Sequence, residues 1–188
     1  MDRATYLSKI ENELKNTKQY LLKFLEKDLD YGFKLAKWVY ELAIKNFMIK
    51  YNPKKEKVNR LRQRVYWIDF GVNVGSEFNY PHFCVVVKEF DNTAIVVPIS
   101  TVKEDDPEWK HAGNLVVEIG CLDDLPYEKN PSYAMINQIK TVSKQRLSDY
   151  KDNKTGKYVR IELNEHQMQK IFDAINSISM QKINVKKP

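Results

Sequence analysis

The chain has 188 residues, of which 43% are hydrophobic and 30% charged, with a mean hydropathy of -0.57. This composition is too apolar for a disordered chain, and no stretch reaches the roughly 18–20 apolar residues of a membrane-spanning helix. The charged opening residues do not fit a secretory signal, and Cys84 and Cys121 form neither a disulfide framework nor a metal quartet. We therefore expect a reduced, cytoplasmic protein that makes no membrane contact.

The net charge of +6 is concentrated near the amino terminus. Residues 1–60 contain 14 Lys and Arg against 8 Asp and Glu, whereas residues 61–163 contain 13 against 15. A basic surface attracts anionic partners such as RNA, DNA or lipid headgroups. A solvated, lysine-rich helix surface explains the same counts equally well, so charge alone does not identify a partner.

The first fifty residues predict two helices, because apolar residues recur there every three or four positions. The two stripes consist of Leu7, Ile10, Leu14, Thr17, Leu21 and Leu25, then Phe33, Ala36, Tyr40, Ala43 and Phe47. Asp and Gly at residues 28–32 predict the break between the helices. We expect an αα-hairpin in which each helix buries its stripe against the other helix or the main domain. Pro53 and the basic run after it predict a linker.

From residue 64 the sequence becomes rich in β-branched and aromatic residues. Short runs predict strands at 65–70, 83–87, 93–97, 115–119, 133–139 and 158–163, with polar loops at 103–111 and 121–131. A final helix is predicted with Asn164 as its cap, Gln167 completing a capping box, and a buried face of Met168, Ile171, Phe172, Ile175 and Ile178.

These elements predict an α+β, mainly β fold: a small bent antiparallel sheet or SH3-like partly open barrel with a carboxy-terminal helix, preceded by an αα-hairpin. The domain boundaries that follow are a hairpin at 1–52, a linker at 53–63, a β domain with its helix at 64–179 and a tail at 180–188.

Several kinds of chemistry are excluded by absent motifs. The chain has no glycine-rich phosphate loop, Walker pattern or nucleophile elbow. His82, His111 and His166 lie far apart, so we expect no metal site and no cofactor. The acidic run at 104–106 is more typical of a solvated loop than of a metal site, and Cys84 is expected in the core.

One segment combines groups that are suited to proton transfer. Glu77 lies in the loop after the first strand, His82 opens the second strand, and Ser100 ends the third. Adjacent strands of a bent sheet would bring these groups to one rim, where an imidazole, a hydroxyl and a carboxylate can act as an acid–base site. Taken alone the pattern is weak, because a lone histidine beside a strand is more often structural.

Four blocks in this region carry a family resemblance. They are 65–70 (VYWIDF), 74–77 (VGSE), 94–100 (AIVVPIS) and 138–147 (QIKTVSKQRL). In this order and spacing they make residues 64 to about 178 resemble the MazF/PemK family of toxin endoribonucleases. The resemblance implies the CcdB/PemK-like fold, a homodimer, and a toxin–antitoxin system in which a cognate antitoxin protein restrains the toxin.

The activity implied by the resemblance is metal-independent cleavage of single-stranded RNA such as mRNA. In that reaction the ribose 2′-hydroxyl attacks the adjacent phosphate, which leaves a 2′,3′-cyclic phosphate and a 5′-hydroxyl end. The family uses an arginine at the start of the second strand, a threonine at the end of the third and a loop glutamate. In this chain those positions are His82, Ser100 and Glu77.

His82 replaces a permanently charged phosphate clamp with a group that titrates near neutrality, whereas Ser100 keeps a hydroxyl. We expect His82, Ser100 and Glu77 to be catalytic, with Ser100 and Lys140 also holding phosphate. The expected substrate-binding residues are Ser76, Phe78, Tyr80, Thr101, Gln138 and Lys140. Phe78 and Tyr80 fit stacking on bases and a core or dimer contact equally well.

A second interpretation stays open: a catalytically degenerate module that keeps the toxin fold and binds RNA, DNA or a protein partner. The near-neutral β region is an awkward RNA surface, although the basic hairpin supplies positive charge. The hairpin lies outside the resemblance. It is expected to pack on the barrel, to extend a dimer, or to occupy the groove in which an antitoxin would bind.

Overall fold

The computed structural model describes residues 2–51, 59–103, 106, 115–122, 124 and 130–180. The chain forms two compact units, residues 1–56 and residues 57–188. Among the described residues, no helix has the length and hydropathy needed to cross a membrane. The first unit is helical, and the second contains all of the strands that the structure describes.

The first unit is the predicted αα-hairpin. Helices α1 (Arg3–Lys23) and α2 (Leu29–Tyr51) are separated by the 3-10 turn Phe24–Glu26. The Asp28 carboxylate accepts a hydrogen bond from the Tyr31 backbone N–H at 3.0 Å, so Asp28 caps α2. The break therefore precedes the predicted position at 28–32, because the aspartate begins the second helix and Gly32 lies within it.

The expected burial of the two helical stripes is wrong. No residue of α1 is buried, and Gly32 is the buried residue of α2, while Leu14 and Phe33 are 64% and 67% exposed. Close packing occurs at the turn, where the Phe24 and Tyr31 rings are 5.2 Å apart. A Cβ at Gly32 would lie 2.5 Å from Phe24 Cβ, so the turn needs glycine there. The Leu25 side chain lies outside the described part of the structure.

The second unit is an antiparallel sheet that curls into a half-barrel, which confirms the predicted fold class. The strands are β1 (Arg64–Asp69), β2 (Pro81–Glu89), β3 (Thr93–Thr101), β4 (Val116–Gly120), β5 (Ser132–Met135), β6 (Lys140–Ser143), β7 (Tyr150–Lys151), β8 (Tyr158–Val159) and β9 (Ile161–Glu162). Strand β3 pairs with β2 along one edge and with β5 and then β6 along the other, and β1 continues the sheet beyond β2.

Each face of the sheet has its own apolar cluster, because side chains alternate along a strand. Val85 and Val97 belong to the cluster on the face that carries the carboxy-terminal helix. Cys84 and Val96 belong to the cluster on the other face. Cys84 is fully buried, as expected of a core residue, and burial raises the pKa of its thiol.

Helix α3 (Glu165–Met180) covers the first cluster and begins as predicted. The Asn164 and Gln167 side chains each accept the other's backbone N–H at 2.9 Å, which is the reciprocal capping box. The Gln167 amide also donates to the Ile119 carbonyl at 2.8 Å and so attaches the helix to β4. The predicted apolar face is buried or half-buried at Met168, Ile171, Phe172, Ile175 and Ile178.

Other boundaries differ from the predictions. The run at 133–139 leaves the sheet after Met135 as the 3-10 turn Ile136–Gln138, and the run at 158–163 forms two short strands. Strands β6 and β7 were not predicted. Most of the loops at 103–111 and 121–131, including His111, lie outside the described residues.

The predicted domain boundaries stay predictions. Within the predicted linker, Gln63 donates its backbone N–H to the Val86 carbonyl at 2.8 Å, and Arg60 donates to the Leu147 carbonyl at 3.0 Å. These bonds attach residues 60–63 to the β unit. Residues 52–58, and the tail after residue 180, are not described.

Candidate functional site

The β1–β2 loop, residues 70–80, carries four of the predicted site residues and is closed by its own hydrogen bonds. At its base the Phe70 N–H donates to the Tyr80 carbonyl at 3.1 Å, and the Tyr80 N–H donates to the Gly71 carbonyl at 2.8 Å. Within the loop the Asn73 amide donates to the Phe70 and Phe78 carbonyls at 3.2 and 2.8 Å. These bonds pair several backbone polar groups of this turn, which gives the loop a defined shape.

The loop is attached to the segment between β5 and β6 by a second set of polar contacts. Gln138 Oε1 accepts the Phe78 N–H at 3.0 Å, and Gln138 Nε2 donates to the Ser76 carbonyl at 3.2 Å. Lys140 Nζ binds Glu77 Oε2 at 2.9 Å. The contacts of Gln138 are structural, and the positive charge of Lys140 is matched by the carboxylate of Glu77.

Phe78 and Tyr80 occupy different environments on this loop. The half-buried Phe78 ring packs edge-on against Phe70, with centroids 5.3 Å apart, and lies 4.5 Å from the His82 ring. Through these contacts the Phe78 ring packs against the apolar cluster that contains Cys84 and Val96. Tyr80 is 37% exposed and has φ of 68°, a left-handed conformation that turns the chain into β2. Of the two, Tyr80 has the ring more open to an RNA base.

His82 and Ser100 are brought together by the pairing of β2 with β3. Phe83 pairs with Ile99 and Cys84 pairs with Pro98, so the next step of the same ladder sets His82 opposite Ser100. Directly opposed side chains of an antiparallel pair lie on one face, with Cβ atoms about 4.5–5.5 Å apart. Both residues line one cavity of about 300 Å³ at the end of the sheet where β2 begins and β3 ends.

The His82 cavity also contains a cation and further hydroxyl groups. Its lining includes Lys103, Thr101 and the buried Ser132, and it extends to Trp67 and Phe83 on the other face of the strands. Lys103 forms no ion pair with any residue in the described part of the chain. An ammonium group and several hydroxyls around one cavity are donors suited to phosphate oxygens.

The surroundings of His82 disfavour the protonated form of its imidazole. Burial lowers the pKa of its imidazole below the usual 6.5, and the nearby positive charge of Lys103 lowers it further. Neither the imidazole nor the Ser100 hydroxyl has a hydrogen-bond partner among the described residues. A neutral imidazole with a free ring nitrogen is able to accept a proton near neutral pH.

The predicted site residues thus form two groups. His82, Ser100 and Thr101 line the cavity, whereas Ser76, Glu77, Gln138 and Lys140 are joined to one another through the β1–β2 loop. Phe78 connects the groups, since its N–H binds Gln138 and its ring contacts His82. In the described structure no hydrogen bond or ion pair joins Glu77 to His82 or Ser100.

Sequence reasoning missed Lys103. It lies three residues after Ser100, beyond the predicted end of the strand, and its proximity to His82 depends on how the chain leaves β3. A lysine just after the strand that carries the hydroxyl was the available signal. Among the described residues, no group of three or more His, Cys, Asp or Glu side chains is placed to hold a metal ion.

The chain was compared with curated proteins and with solved structures. No curated protein matches the chain. The chain is similar to the crystal structure of MazF (form I) from Deinococcus radiodurans, with 9% identity, a TM-score of 0.43, and coverage of 65% of this chain and 97% of that one. It is also similar to the MazE–MazF crystal structure (form II) from the same organism, with 10% identity, a TM-score of 0.41, and coverage of 67% and 100%.

A family model matches most of the β unit. The model describes the PemK-like, MazF-like toxins of type II toxin–antitoxin systems, and it spans residues 61–179 of this chain, well over half of its length. The matched region contains the curled sheet, the His82 cavity and helix α3, and it leaves out the helical hairpin. The predicted family is therefore confirmed: this chain belongs to the PemK-like, MazF-like toxin family of type II toxin–antitoxin systems.

Proposed function

We propose that this toxin is an endoribonuclease that cleaves single-stranded RNA at the His82 cavity. The observation that carries the proposal is the combination, in one cavity, of an imidazole whose pKa is lowered by burial, a facing hydroxyl, and an ammonium group that forms no ion pair with the described residues. Cleavage by the RNA's own 2′-hydroxyl needs a base for that proton and a charge to balance the phosphorane oxygens. The cavity supplies both groups.

In the proposed reaction the neutral His82 imidazole accepts the 2′-hydroxyl proton as the 2′ oxygen forms a bond to phosphorus. The bond from phosphorus to the 5′ oxygen breaks, and the departing oxygen takes a proton from water, which reaches the cavity past the exposed Thr101 and Lys103. Lys103 and the Ser100 hydroxyl bind the non-bridging oxygens as their charge increases. The products are a 2′,3′-cyclic phosphate and a 5′-hydroxyl end, and no metal ion is needed.

Lys103 takes the role that the sequence had assigned to Lys140. The ammonium of Lys140 is engaged by Glu77. Lys103 adjoins His82, and its ammonium forms no ion pair in the described structure, although the Asp106 carboxylate accepts the Lys103 backbone N–H at 3.0 Å. Lysine binds phosphate as a point charge and lacks the two-pronged geometry of arginine. In this chain the charge of the family's arginine is thus supplied by Lys103, and its position in the strand is occupied by the proton acceptor His82.

We propose that Glu77 acts as a positioning residue. Its side chain is 52% exposed, and its neighbour Phe78 contacts His82, so RNA bound in the cavity passes close to this carboxylate. We propose that Glu77 and Lys140 set the position of the β1–β2 loop while RNA is bound. Ser76, Tyr80, Thr101 and Gln138 contribute to binding as loop and cavity residues.

The test is cleavage of a long, weakly structured RNA by the full chain in EDTA. Changing His82→Ala or Ser100→Ala should each reduce the cleavage rate, by about 100-fold or more for the histidine. His166→Ala is the matched control, because His166 is exposed on α3 far from the cavity in sequence, and it should cleave like the wild type. RNA binding without cleavage by the wild-type chain would instead support the degenerate binding module.

The family membership also supports a protein partner. We propose that a cognate antitoxin protein binds this chain and blocks RNA access, as expected for a toxin of a type II system. The homodimer and the cytoplasmic location stay predictions. Light scattering on the purified chain would test the dimer, since a mass near twice 22.2 kDa is expected for it.

A further inference from the structure

A second and larger cavity adjoins the His82 cavity. It has a volume of about 590 Å³, within the range of small-molecule sites. The two cavities share four lining residues, Trp67, Phe83, Thr101 and Ser132. A ligand that occupies both would therefore pass continuously from the phosphate-binding groups into the larger space.

The larger cavity has an aromatic wall whose rings are fixed by the fold. Trp67 pairs with Phe83 across β1 and β2, and their ring centroids are 5.0 Å apart in an edge-to-face arrangement. Tyr150 packs against Phe83 at 5.0 Å and against Trp67 at 6.0 Å. The Trp67 N–H and carbonyl both bind Ser148, at 2.8 and 3.0 Å, which fixes the segment before β7 against β1.

The cavity is also lined by an exposed ring and by polar side chains. Tyr158 is 71% exposed, Asn153 lies in the turn between β7 and β8, and Lys151 adds a positive charge. The Asp149 carboxylate binds Arg64 Nη2 through Oδ1 at 2.9 Å, so its charge is matched. The cavity thus combines aromatic faces with amide and carboxylate groups at its edge, without an uncompensated charge from Asp149.

We propose that this cavity holds the nucleobase of a nucleotide adjoining the cleaved phosphate, and that it contributes to the choice of cleavage sequence. A base offers an apolar face to aromatic rings and a polar edge to amide and carboxylate groups, which is the chemistry this cavity presents. A second phosphate is a poorer fit, because the wall is aromatic and Lys151 is the sole lysine or arginine among the described lining residues. This inference rests on the proposed function, since the neighbouring cavity is assigned the phosphate.

The binding test uses the full chain and six probes that separate base from phosphate. Calorimetry would compare the four nucleoside 3′-monophosphates with ribose 5-phosphate and inorganic phosphate. At least one nucleotide should bind about ten-fold more tightly than ribose 5-phosphate, as expected for the stacking of one base. Equal affinity for all nucleotides and for ribose 5-phosphate would overturn the inference.

Tyr158→Ala locates the binding with little risk to folding, because this ring is largely exposed. It should remove most of the preference for nucleotides and leave the affinity for inorganic phosphate unchanged, while Tyr158→Phe should keep the preference. Tyr20→Ala, at an exposed tyrosine of the hairpin, is the matched control and should bind like the wild type. An unchanged nucleotide preference in Tyr158→Ala would place the base elsewhere.

Cleavage mapping separates this inference from the proposed function. If the wild-type chain cuts RNA, Tyr158→Ala and Asn153→Ala should change the relative use of cleavage sequences. Identical cleavage patterns in all three proteins would refute the base site and leave the ribonuclease proposal intact. If the wild-type chain cuts no RNA, the proposed function fails, and the nucleotide affinities alone then decide whether the cavity binds a base.

Discussion

The helical hairpin and the β unit differ in how far their apolar residues are buried. The buried hydrophobic residues of the described structure all lie between Val65 and Ala174, in the β unit. In the hairpin the apolar stripes of α1 and α2 remain exposed. Periodicity in the sequence therefore predicts where a helix forms, whereas burial of its apolar face depends on a partner surface that periodicity does not specify.

The two units also differ in their polar side-chain contacts. In the β unit, strand pairing places His82 against Ser100 and joins Glu77 to Lys140. The polar contacts described in the hairpin are helix caps and pairs within one helix, such as Lys34 with Asp30. We therefore expect substitutions in the β unit to change stability or activity, and equivalent substitutions in the hairpin to have little effect on either.

The largest expected effect is the loss of a core side chain. Ile171→Ala removes a fully buried side chain from the cluster under α3, and it should lower the free energy of unfolding by about 2–5 kcal/mol. Ile10→Ala makes the same change at a residue of α1 that is 53% exposed, and it should stay within about 0.5 kcal/mol of wild type. Urea denaturation measures both free energies of unfolding, and equal decreases in the two variants would contradict the proposed difference between the units.

The next effect concerns activity. Lys103→Ala removes the ammonium group from the His82 cavity, and it should reduce kcat/KM for RNA by on the order of 100-fold. Lys88→Ala removes an exposed lysine of β2 and should leave kcat/KM near the wild-type value. Steady-state cleavage of a short RNA measures both variants. Equal activity of the two variants would contradict the proposed role of Lys103 in binding phosphate.

A smaller effect is expected from the support of the β1–β2 loop. Gln138→Ala deletes the two hydrogen bonds to Phe78 and Ser76, so it should lower stability by about 1–2 kcal/mol and reduce cleavage. Gln145→Ala changes an exposed glutamine nearby in sequence and should do neither. Thermal unfolding and cleavage rates measured together would test this, and a Gln138 variant with normal activity would show that the loop needs no such anchor.

The smallest effect is a shift of the pH profile. Burial and Lys103 both lower the pKa of His82, so cleavage should decline only below pH 6.5, where the imidazole becomes protonated. In Lys103→Ala the pKa of His82 should rise, because one neighbouring positive charge is lost, and the decline should begin at higher pH. A profile of kcat/KM against pH measures the shift, and a shift to lower pH would contradict the assignment.

Stability, like cleavage, should decrease as the pH is lowered. Protonation of His82 is less favourable in the folded chain than in the unfolded chain, since its folded pKa is the lower of the two. The unfolded state therefore binds more protons between the two values, and stability falls as the pH drops below about 6.5. His82→Ala should weaken this dependence in urea titrations at several pH values.

Much of the fold follows from local sequence. Strands β1, β2 and β3 are continuous β-branched and aromatic runs, and the Asn164–Gln167 capping box is a short-range signal. Strand β6 was missed because Val142 is the one apolar residue among its four, and because its partner residues in β3 lie 44 to 50 positions earlier in the chain. The break in the hairpin was misplaced because Asp28 acts equally well as a helix cap and as a turn residue.

The candidate site was only partly predictable for a physical reason. Local sequence located His82 and Ser100 at the ends of adjacent strands, and the β2–β3 register then sets them opposite each other. The pairing of Glu77 with Lys140, and the approach of Lys103 to His82, depend on how loops fold back on the sheet. The aromatic cavity beside Trp67 likewise requires β7, a strand of two residues. The sequence at 153–156 predicts the hairpin turn that follows β7, but the strand itself is too short to be predicted from periodicity.

The most direct test of the central claim is the chemistry of the RNA ends. Fragments produced by the purified wild-type chain in EDTA would be analysed for their termini. The account predicts 2′,3′-cyclic phosphate and 5′-hydroxyl ends, formed by the wild type and by His166→Ala and almost absent with His82→Ala. Fragments with 3′-hydroxyl and 5′-phosphate ends, or equal cleavage by the His82 variant, would contradict it.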